Sequence, residues 1–173
     1  PLASDSVAWL TPPPEIVIMT RTGIGFDSHR LVVGRPLILG GQLIPHDRGL
    51  EGHSDADAVA HALTDAILGA AAFGDIGRLF SDSDPQWKDA DTMMLLRLAC
   101  ARVVQGGFAP RQADITVILE RPRLQPFIPA MIEGLSRATG IPAAALSVKA
   151  KTNEGMGFIG RGEGIAVLAV ATV

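Results

Sequence analysis

His53-Ser54-Asp55-Ala56-Asp57-Ala58-Val59-Ala60-His61-Ala62-Leu63-Thr64-Asp65-Ala66-Ile67-Leu68-Gly69-Ala70-Ala71-Ala72 is the stretch around which the rest of the chain organises. From Asp55 to Ala72 it is rich in Ala and Leu, holds no Pro and only one late Gly, and so predicts a helix. Ser54 is the expected N-cap, with Asp57 three residues on as a weak capping-box partner. At about 100° per residue, Val59, Leu63, Ala66 and Ala70 form the core stripe. Asp57, His61 and Asp65 form the opposite stripe, at i, i+4 and i+8. On its own, such a stripe reads as a solvated face. The scarcity of histidine argues for more: the chain has 4. Three of them, His29, His53 and His61, lie in or beside this block and the fragment Gly25-Phe26-Asp27-Ser28-His29.

Asp27, His29 and His61 supply three nitrogen or oxygen ligands. That is the inventory of a catalytic zinc, which keeps a fourth position open for water or substrate. The only cysteine, Cys100, rules out a thiolate-rich structural zinc and an internal disulfide, and a reducing compartment is the default. Asp57, flanking His61, is a candidate for orienting a ligand or the substrate. The competing reading is that Asp57 and Asp65 merely solvate the helix.

Outward from the helix, elements alternate. Thr22 to Phe26 is a short strand candidate. Pro36 to Pro45 reads as two short strands around Gly40-Gly41. Thr92 to Gln105 is a second helix closed by Gly106-Gly107. Asp114 to Leu119 is a β-branched strand. Phe127 to Thr139 is a third helix, stopped by Gly140-Ile141-Pro142. Leu146 to Lys151 and Ile165 to Val173 complete the strands. The pattern predicts an α+β fold, a single mixed sheet with helices packed on one face. The apolar segment Gly164 to Val173 carries no protecting charge, so as an exposed edge it would invite association. Residues 1–20, with Thr11-Pro12-Pro13-Pro14, read as a linker or leader before one domain at 21–173.

Composition narrows the function. At 173 residues with 47% hydrophobic and 19% charged, the chain fits one globular domain. A net charge of −3 gives no argument for nucleic acid or an anionic membrane. With no tyrosine and 5% aromatics, base-stacking platforms are not expected. No apolar run approaches the ~20 residues that span a bilayer.

Three further clusters invite chemistry. Gly74-Asp75-Ile76-Gly77 followed by Phe80-Ser81-Asp82-Ser83-Asp84-Pro85 is dense in carboxylates and small residues, suiting a sugar or polyol, or simply Asx-capped turns. Lys149-Ala150-Lys151-Thr152-Asn153-Glu154-Gly155 puts cations, a hydroxyl and a carboxylate at a strand end, where α/β sheets hold ligands; an ordinary polar loop fits equally well. Gly160-Arg161-Gly162-Glu163-Gly164 suits backbone approach to an anion, or a plain hairpin turn.

In this order the motifs resemble the 2-C-methyl-D-erythritol 2,4-cyclodiphosphate synthases of the non-mevalonate isoprenoid pathway, from about Arg21 to Val173. The resemblance implies zinc on Asp27, His29 and His61, and contact of His53 and Ser54 with a substrate phosphate. It implies that Asp75, Ile76 and Gly77 hold the methylerythritol part, with Phe80, Ser81, Asp82, Ser83 and Asp84 as a further substrate loop. Glu154 is implied as ligand of a second divalent ion, magnesium or manganese. Leu119, Glu120, Arg121, Pro122, Arg123, Leu124 and Gln125, with Ala150, Lys151 and Thr152, match the cytidine pocket, and Asn153 adjoins it. Lys151 adds a cation near the phosphates, and catalytic roles are expected of Asp57, Lys151 and Thr152. Phe158 and Arg161 match residues facing the central cavity of a homotrimer, with an isoprenoid diphosphate as its candidate ligand. A cytoplasmic location follows, or a plastid if the source is a plant or alga. Arg123 and Leu119 stand where many relatives carry a lysine and a small residue.

The implied reaction is attack of the substrate's 2-phosphate on the β-phosphorus of its own cytidine diphosphate group, with CMP leaving. A phosphate with its second pKa near ~6 is already anionic at neutral pH, so the task is to align two anions and neutralise their charge. Two other classes stay open on the residues alone. A zinc hydrolase would use the same triad with Asp57 or Glu154 as base. A non-catalytic trimeric module would bind isoprenoid diphosphates through Arg161.

Overall fold

The computed structural model describes residues 20–81, 84–87 and 90–173. The strands are β1 (Thr22–Val33), β2 (Leu37–Leu39), β3 (Gln42–Ile44), β4 (Arg48–Leu50), β5 (Gln112–Ile118), β6 (Leu146–Lys151) and β7 (Gly164–Thr172). The helices are α1 (Ala58–Ala70), α2 (Ile76–Leu79), α3 (Thr92–Gln105), α4 (Ile128–Thr139) and α5 (Gly157–Gly160). One five-stranded sheet runs β4-β1-β7-β5-β6, with β5 and β6 parallel and the other pairs antiparallel. The mixed α+β character holds, but the expected single sheet is two, because β2 and β3 form a hairpin of their own. Its turn, Gly40-Gly41, has φ of +58° and +73°, the left-handed pair that a two-residue hairpin needs and glycine adopts freely.

The core forms where α1 lies on β1 and β7. That approach is unusually close, and two glycines allow it. A Cβ on Gly25 would stand 1.9 Å from the Ala62 carbonyl oxygen, and one on Gly23 2.1 Å from that of Ala66. The stripe Val59, Leu63, Ala66 and Ala70 is buried as expected. So are Ala58, Ala60, Ala62, Ile67 and Leu68, because α3 closes over the helix from the other side. Emptying one such site, as in Leu63→Ala, costs about 2–5 kcal/mol.

Two expectations about α1 are corrected. The N-cap is Asp57, not Ser54, and the helix runs Ala58–Ala70 rather than Asp55–Ala72. Ala56 has φ of +57°, which turns the chain between the two candidates. Asp57 is also not on a solvated stripe. It is fully buried, and its carboxylate accepts the amides of Val59 and Ala60 at 3.1 Å, Gly40 at 2.8 Å and Gly41 at 2.6 Å.

Two strands also differ. β1 continues seven residues past Phe26, pairing along β7 as far as Arg30. β7 is not an edge: it lies between β1 and β5, which explains its uncharged composition. What it leaves open is a face. Ile24 pairs with Val170 and Phe26 with Leu168, and these four are 70%, 42%, 58% and 38% exposed. α3, β6 and the end of α4 at Gly140 (φ +75°) fall where the sequence puts them. Among the described residues, no helix is long and apolar enough to cross a membrane.

Candidate metal centre and substrate cleft

β1 supplies two of the three candidate ligands. Asp27 and His29 are two residues apart on a strand, so their side chains leave from the same face. That face is covered by α1, which Gly25 admits directly against the strand and which carries His61 above them. Asp27 Oδ2 lies 2.9 Å from His29 Nε2 and 3.0 Å from His61 Nδ1, and the two nitrogens are 3.3 Å apart. Ligand atoms about 2.0–2.1 Å from a tetrahedral zinc stand about 3.3 Å apart, so these three outline one face of such a polyhedron. All three side chains are half-buried.

Electrostatics agrees with a cation there. Burial disfavours charge on Asp27, but His29 and His61 outweigh it and hold the carboxyl well below the usual carboxylate range. Burial pulls His29 down, and Asp27 more than reverses this, so its affinity for positive charge is raised. His29 Nδ1 donates to the Glu51 carbonyl at 2.7 Å, which leaves Nε2 as the nitrogen aimed at the cluster. A carboxylate and two imidazoles are the donor set of a catalytic zinc, and the residues present fit one.

The triad opens on a cavity of about 440 Å³, the size of a small-molecule site. His53 and Ser54 line it from the loop before α1. Arg35 steadies that loop by donating to the carbonyls of Leu50 at 3.1 Å and Ser54 at 2.6 Å. Ile76, Gly77, Phe80 and Asp84 complete the expected lining. Asp75 instead caps α2, accepting the Arg78 amide at 2.9 Å. Ser81 is exposed, while Asp82 and Ser83 lie outside the described residues. Asp65, Trp87 and Leu95 also line the cavity, outside the expected set. The signal for Asp65 was its place one turn beyond His61; its Oδ1 accepts the Ile76 amide at 2.7 Å and so joins α1 to the substrate loop. Asp57 does not line the cavity. Expected to orient a ligand or the substrate, it is committed to four amides, and burial pushes its carboxyl up to about 6 although those amides pull it down.

A second group gathers where the parallel strands β5 and β6 end. Leu119 N donates to the Lys151 carbonyl at 2.9 Å, and Asn153 N to Glu120 Oε2 at 3.1 Å, tying the 119–125 and 151–154 segments together. Leu119 and Leu124 are buried, Glu120 and Pro122 half-buried, and Arg121, Arg123 and Gln125 exposed. The Arg121–Pro122 peptide bond is cis. Ala150, Lys151, Thr152 and Glu154 are exposed, and Thr152 Oγ1 donates to Glu154 Oε1 at 2.5 Å. None of these residues lines the cavity of the triad. Asp27, Val167, Val117 and Ala150 stand in register across the sheet. Ala150 is therefore three strand spacings, about 14 Å, from Asp27. Phe158 is exposed, and Arg161, also exposed, is held by Glu163 through two contacts at 2.8 and 3.1 Å.

Comparison with known proteins gives one answer. The model of the YgbB family matches residues 20–173. A protein of Salinibacter ruber named 2-C-methyl-D-erythritol 2,4-cyclodiphosphate synthase is 56% identical over 153 residues, 88% of this chain and 98% of that one. A protein of the same name from Burkholderia thailandensis is also 56% identical, covering 88% and 94%. A solved structure of 2C-methyl-D-erythritol-2,4-cyclodiphosphate synthase in a CDP-bound form superposes with a TM-score of 0.80 at 42% identity, covering 87% of this chain and 98% of that chain. The bifunctional IspDF of Campylobacter jejuni gives a TM-score of 0.86 at 44% identity, this chain matching 42% of its length. With the triad, the cavity and the fold all in place, the chain belongs to the YgbB family, that of the 2-C-methyl-D-erythritol 2,4-cyclodiphosphate synthases.

Proposed function

We propose that this chain converts 4-diphosphocytidyl-2-C-methyl-D-erythritol 2-phosphate to 2-C-methyl-D-erythritol 2,4-cyclodiphosphate and CMP. The observation that carries the reading is the convergence of Asp27, His29 and His61 on a cavity sized for a small phosphorylated polyol. Similarity to proteins of that name, one of them solved with CDP, supports it. A zinc hydrolase is not favoured, since the relatives carry the synthase name.

Asp27, His29 and His61 would hold zinc, and Glu154 a second divalent ion, magnesium or manganese. When bound, these ions neutralise and orient phosphate oxygens. Around them the protein positions the substrate. His53 and the main-chain amide of Ser54 bind a phosphate at the cavity mouth. Ile76 and Gly77, fixed by Asp65, hold the methylerythritol part against Phe80. Lys151 and Thr152 steady the diphosphate. An oxygen of the 2-phosphate bonds to the β-phosphorus, and the bond from that phosphorus to the bridging oxygen breaks. CMP leaves with that oxygen. The nucleophile is already anionic, so no side chain has to remove a proton. Asp57 acts on this site from outside, by fixing the start of α1 and the Gly40-Gly41 turn.

The cytidine half comes from a neighbour in a homotrimer. Two features support this: the 119–125 and 150–154 segments lie away from the triad's cavity in one chain, and an apolar sheet face is uncovered at Ile24, Phe26, Leu168 and Val170. Phe158 and Arg161 would face the central cavity, where an isoprenoid diphosphate would have to draw Arg161 from Glu163. A cytoplasmic location, or a plastid in a plant or alga, completes the reading. The test is incubation of the zinc-loaded protein with the cytidine diphosphate substrate and magnesium, followed by mass spectrometry. Equal amounts of CMP and a cyclic diphosphate are expected; inorganic phosphate or an uncyclised product would contradict the proposal.

A further inference from the structure

His61 turns Nδ1 toward the triad and Nε2 toward two hydroxyls. Its Nε2 lies 3.4 Å from Ser54 Oγ and 3.4 Å from Thr92 Oγ1. The hydroxyls are 3.2 Å apart, and the Ser54 oxygen also accepts the Ala56 amide at 3.1 Å. Thr92 Oγ1 makes a very short hydrogen bond to Asp55 Oδ1. Asp55 Oδ2 accepts the Thr92 amide at 3.2 Å, and its Oδ1 the Asp57 amide at 3.2 Å. Thr92 is fully buried.

One arrangement places a hydrogen in every contact among Asp55, Thr92, Ser54 and His61 Nε2. A carboxylate that accepts two amides also accepts the hydrogen bond of the Thr92 hydroxyl. That bond commits the one hydrogen of Thr92 Oγ1, so toward Ser54 and His61 it can only accept. The Ser54 proton must point at Thr92, or the 3.2 Å contact between hydroxyls would hold no hydrogen. Ser54 too is then only an acceptor toward the imidazole. Both contacts at His61 Nε2 therefore require that nitrogen to carry the proton.

We infer that Asp55 and Thr92 are positioning residues: through the Thr92 hydroxyl they hold the His61 ring with Nε2 protonated and Nδ1 free to bind the metal. Neither belongs to the expected ligand or substrate set. The geometry also joins this device to the substrate loop. Thr92 opens α3 immediately after the loop that carries Phe80 and Asp84, and the Asp55 amide donates to the Ala90 carbonyl at 3.4 Å. The ring that binds metal and the end of that loop are thus held by one carboxylate.

The inference rests on the metal reading, and its test separates the two. Zinc affinity is measured by chelator competition for the wild-type chain, Thr92→Val, Thr92→Ser and Asp55→Asn, with folding followed by circular dichroism. Groups that orient a metal-binding histidine are typically worth 10–100-fold in affinity. Thr92→Val should therefore bind zinc about 10–100-fold more weakly, and Thr92→Ser, which keeps the hydroxyl, should return to within about threefold of wild type. Asp55→Asn, which still accepts the hydroxyl proton without the charge, should fall between them. Independently of any variant, long-range ¹H–¹⁵N spectra of the zinc-loaded wild-type chain should show His61 protonated at Nε2. A wild-type chain that binds no zinc would overturn the metal reading itself. Zinc binding by the wild-type chain with His61 Nε2 unprotonated, or by a folded Thr92→Val with unchanged affinity, would overturn the relay alone.

Discussion

The triad and the segment around Glu154 are both expected to face phosphates, yet they are built in opposite ways. At the triad every side chain is half-buried, and α1 and β1 are locked by a glycine contact that no other residue would permit. At 151–154 the side chains of Lys151, Thr152 and Glu154 stand in solvent, and Glu154 adopts φ of +51°, a left-handed conformation that costs a non-glycine residue energy. One half is finished within the chain. The other has its backbone arranged, through Leu119, Lys151, Glu120 and Asn153, while its charged and hydroxyl side chains stay in solvent. The difference teaches that the triad is preorganised within one chain, whereas at 151–154 the backbone is fixed and the side chains stand in solvent, as the proposed sharing of a site between subunits requires.

The largest effect should come from breaking the finished half. His61→Ala removes a ligand from a half-buried face of α1 while leaving the core stripe intact. Zinc should be lost, as read by atomic absorption, and turnover should fall by about 10³-fold or more, the several kcal/mol that a charge-neutralising metal supplies. The circular dichroism spectrum should stay helical. Full activity in a metal-free variant would remove the triad from the mechanism.

Phe26→Asp probes the unfinished half from the opposite side of the sheet. If Phe26 and its partner Leu168 pack in a subunit interface, an unpaired carboxylate there costs about 3–5 kcal/mol, or about 10²–10⁴ in association. Light scattering should show smaller species, with activity reduced and zinc content unchanged. An assembly as stable as wild type would place the interface elsewhere.

Asp57→Ala tests the support beneath the triad. It strips four amides, three of them buried, of their acceptor and removes the cap of α1. The expected cost is about 2–5 kcal/mol, which calorimetry would read as a fall in Tm of roughly 5–15 °C. A catalytic group would instead lower turnover while leaving Tm alone.

Glu154→Gln should be milder, since it keeps size and removes only a charge. Turnover at fixed magnesium should drop by about one decade, for a loss near 1.4 kcal/mol, and the magnesium titration should move to higher concentration with zinc unaffected. An unmoved titration would free Glu154 of that role.

Much of this was legible in the chain. The Asp-x-His spacing, the histidine on an Ala-rich helix, the Gly-Gly hairpin and the bounds of α3 and β6 all depend on local chemistry, which sequence carries. Three features escaped because their causes are not local. Ser54 has the chemistry of an N-cap, but its hydroxyl is engaged by Thr92, 38 residues away, and the chain turns at Ala56. Asp57 falls on a polar stripe by periodicity, and only the hairpin closing over it makes it buried. The apolar strand at the C-terminus reads as an edge until its two partners, far apart in sequence, enclose it.

The central claim is that each working site combines the triad of one subunit with the nucleotide segment of its neighbour. It is tested most directly by pairing two defects. His61→Ala damages the finished half, and Ala150→Trp fills the exposed strand end where cytidine would lie. Each protein alone should be nearly inactive. Co-expressed and purified as mixed assemblies through two different tags, they should regain activity well above either parent, because some interfaces then join two intact halves. Mixed assemblies that demonstrably form and show no recovery would contradict the claim, since the site would then lie within a single chain.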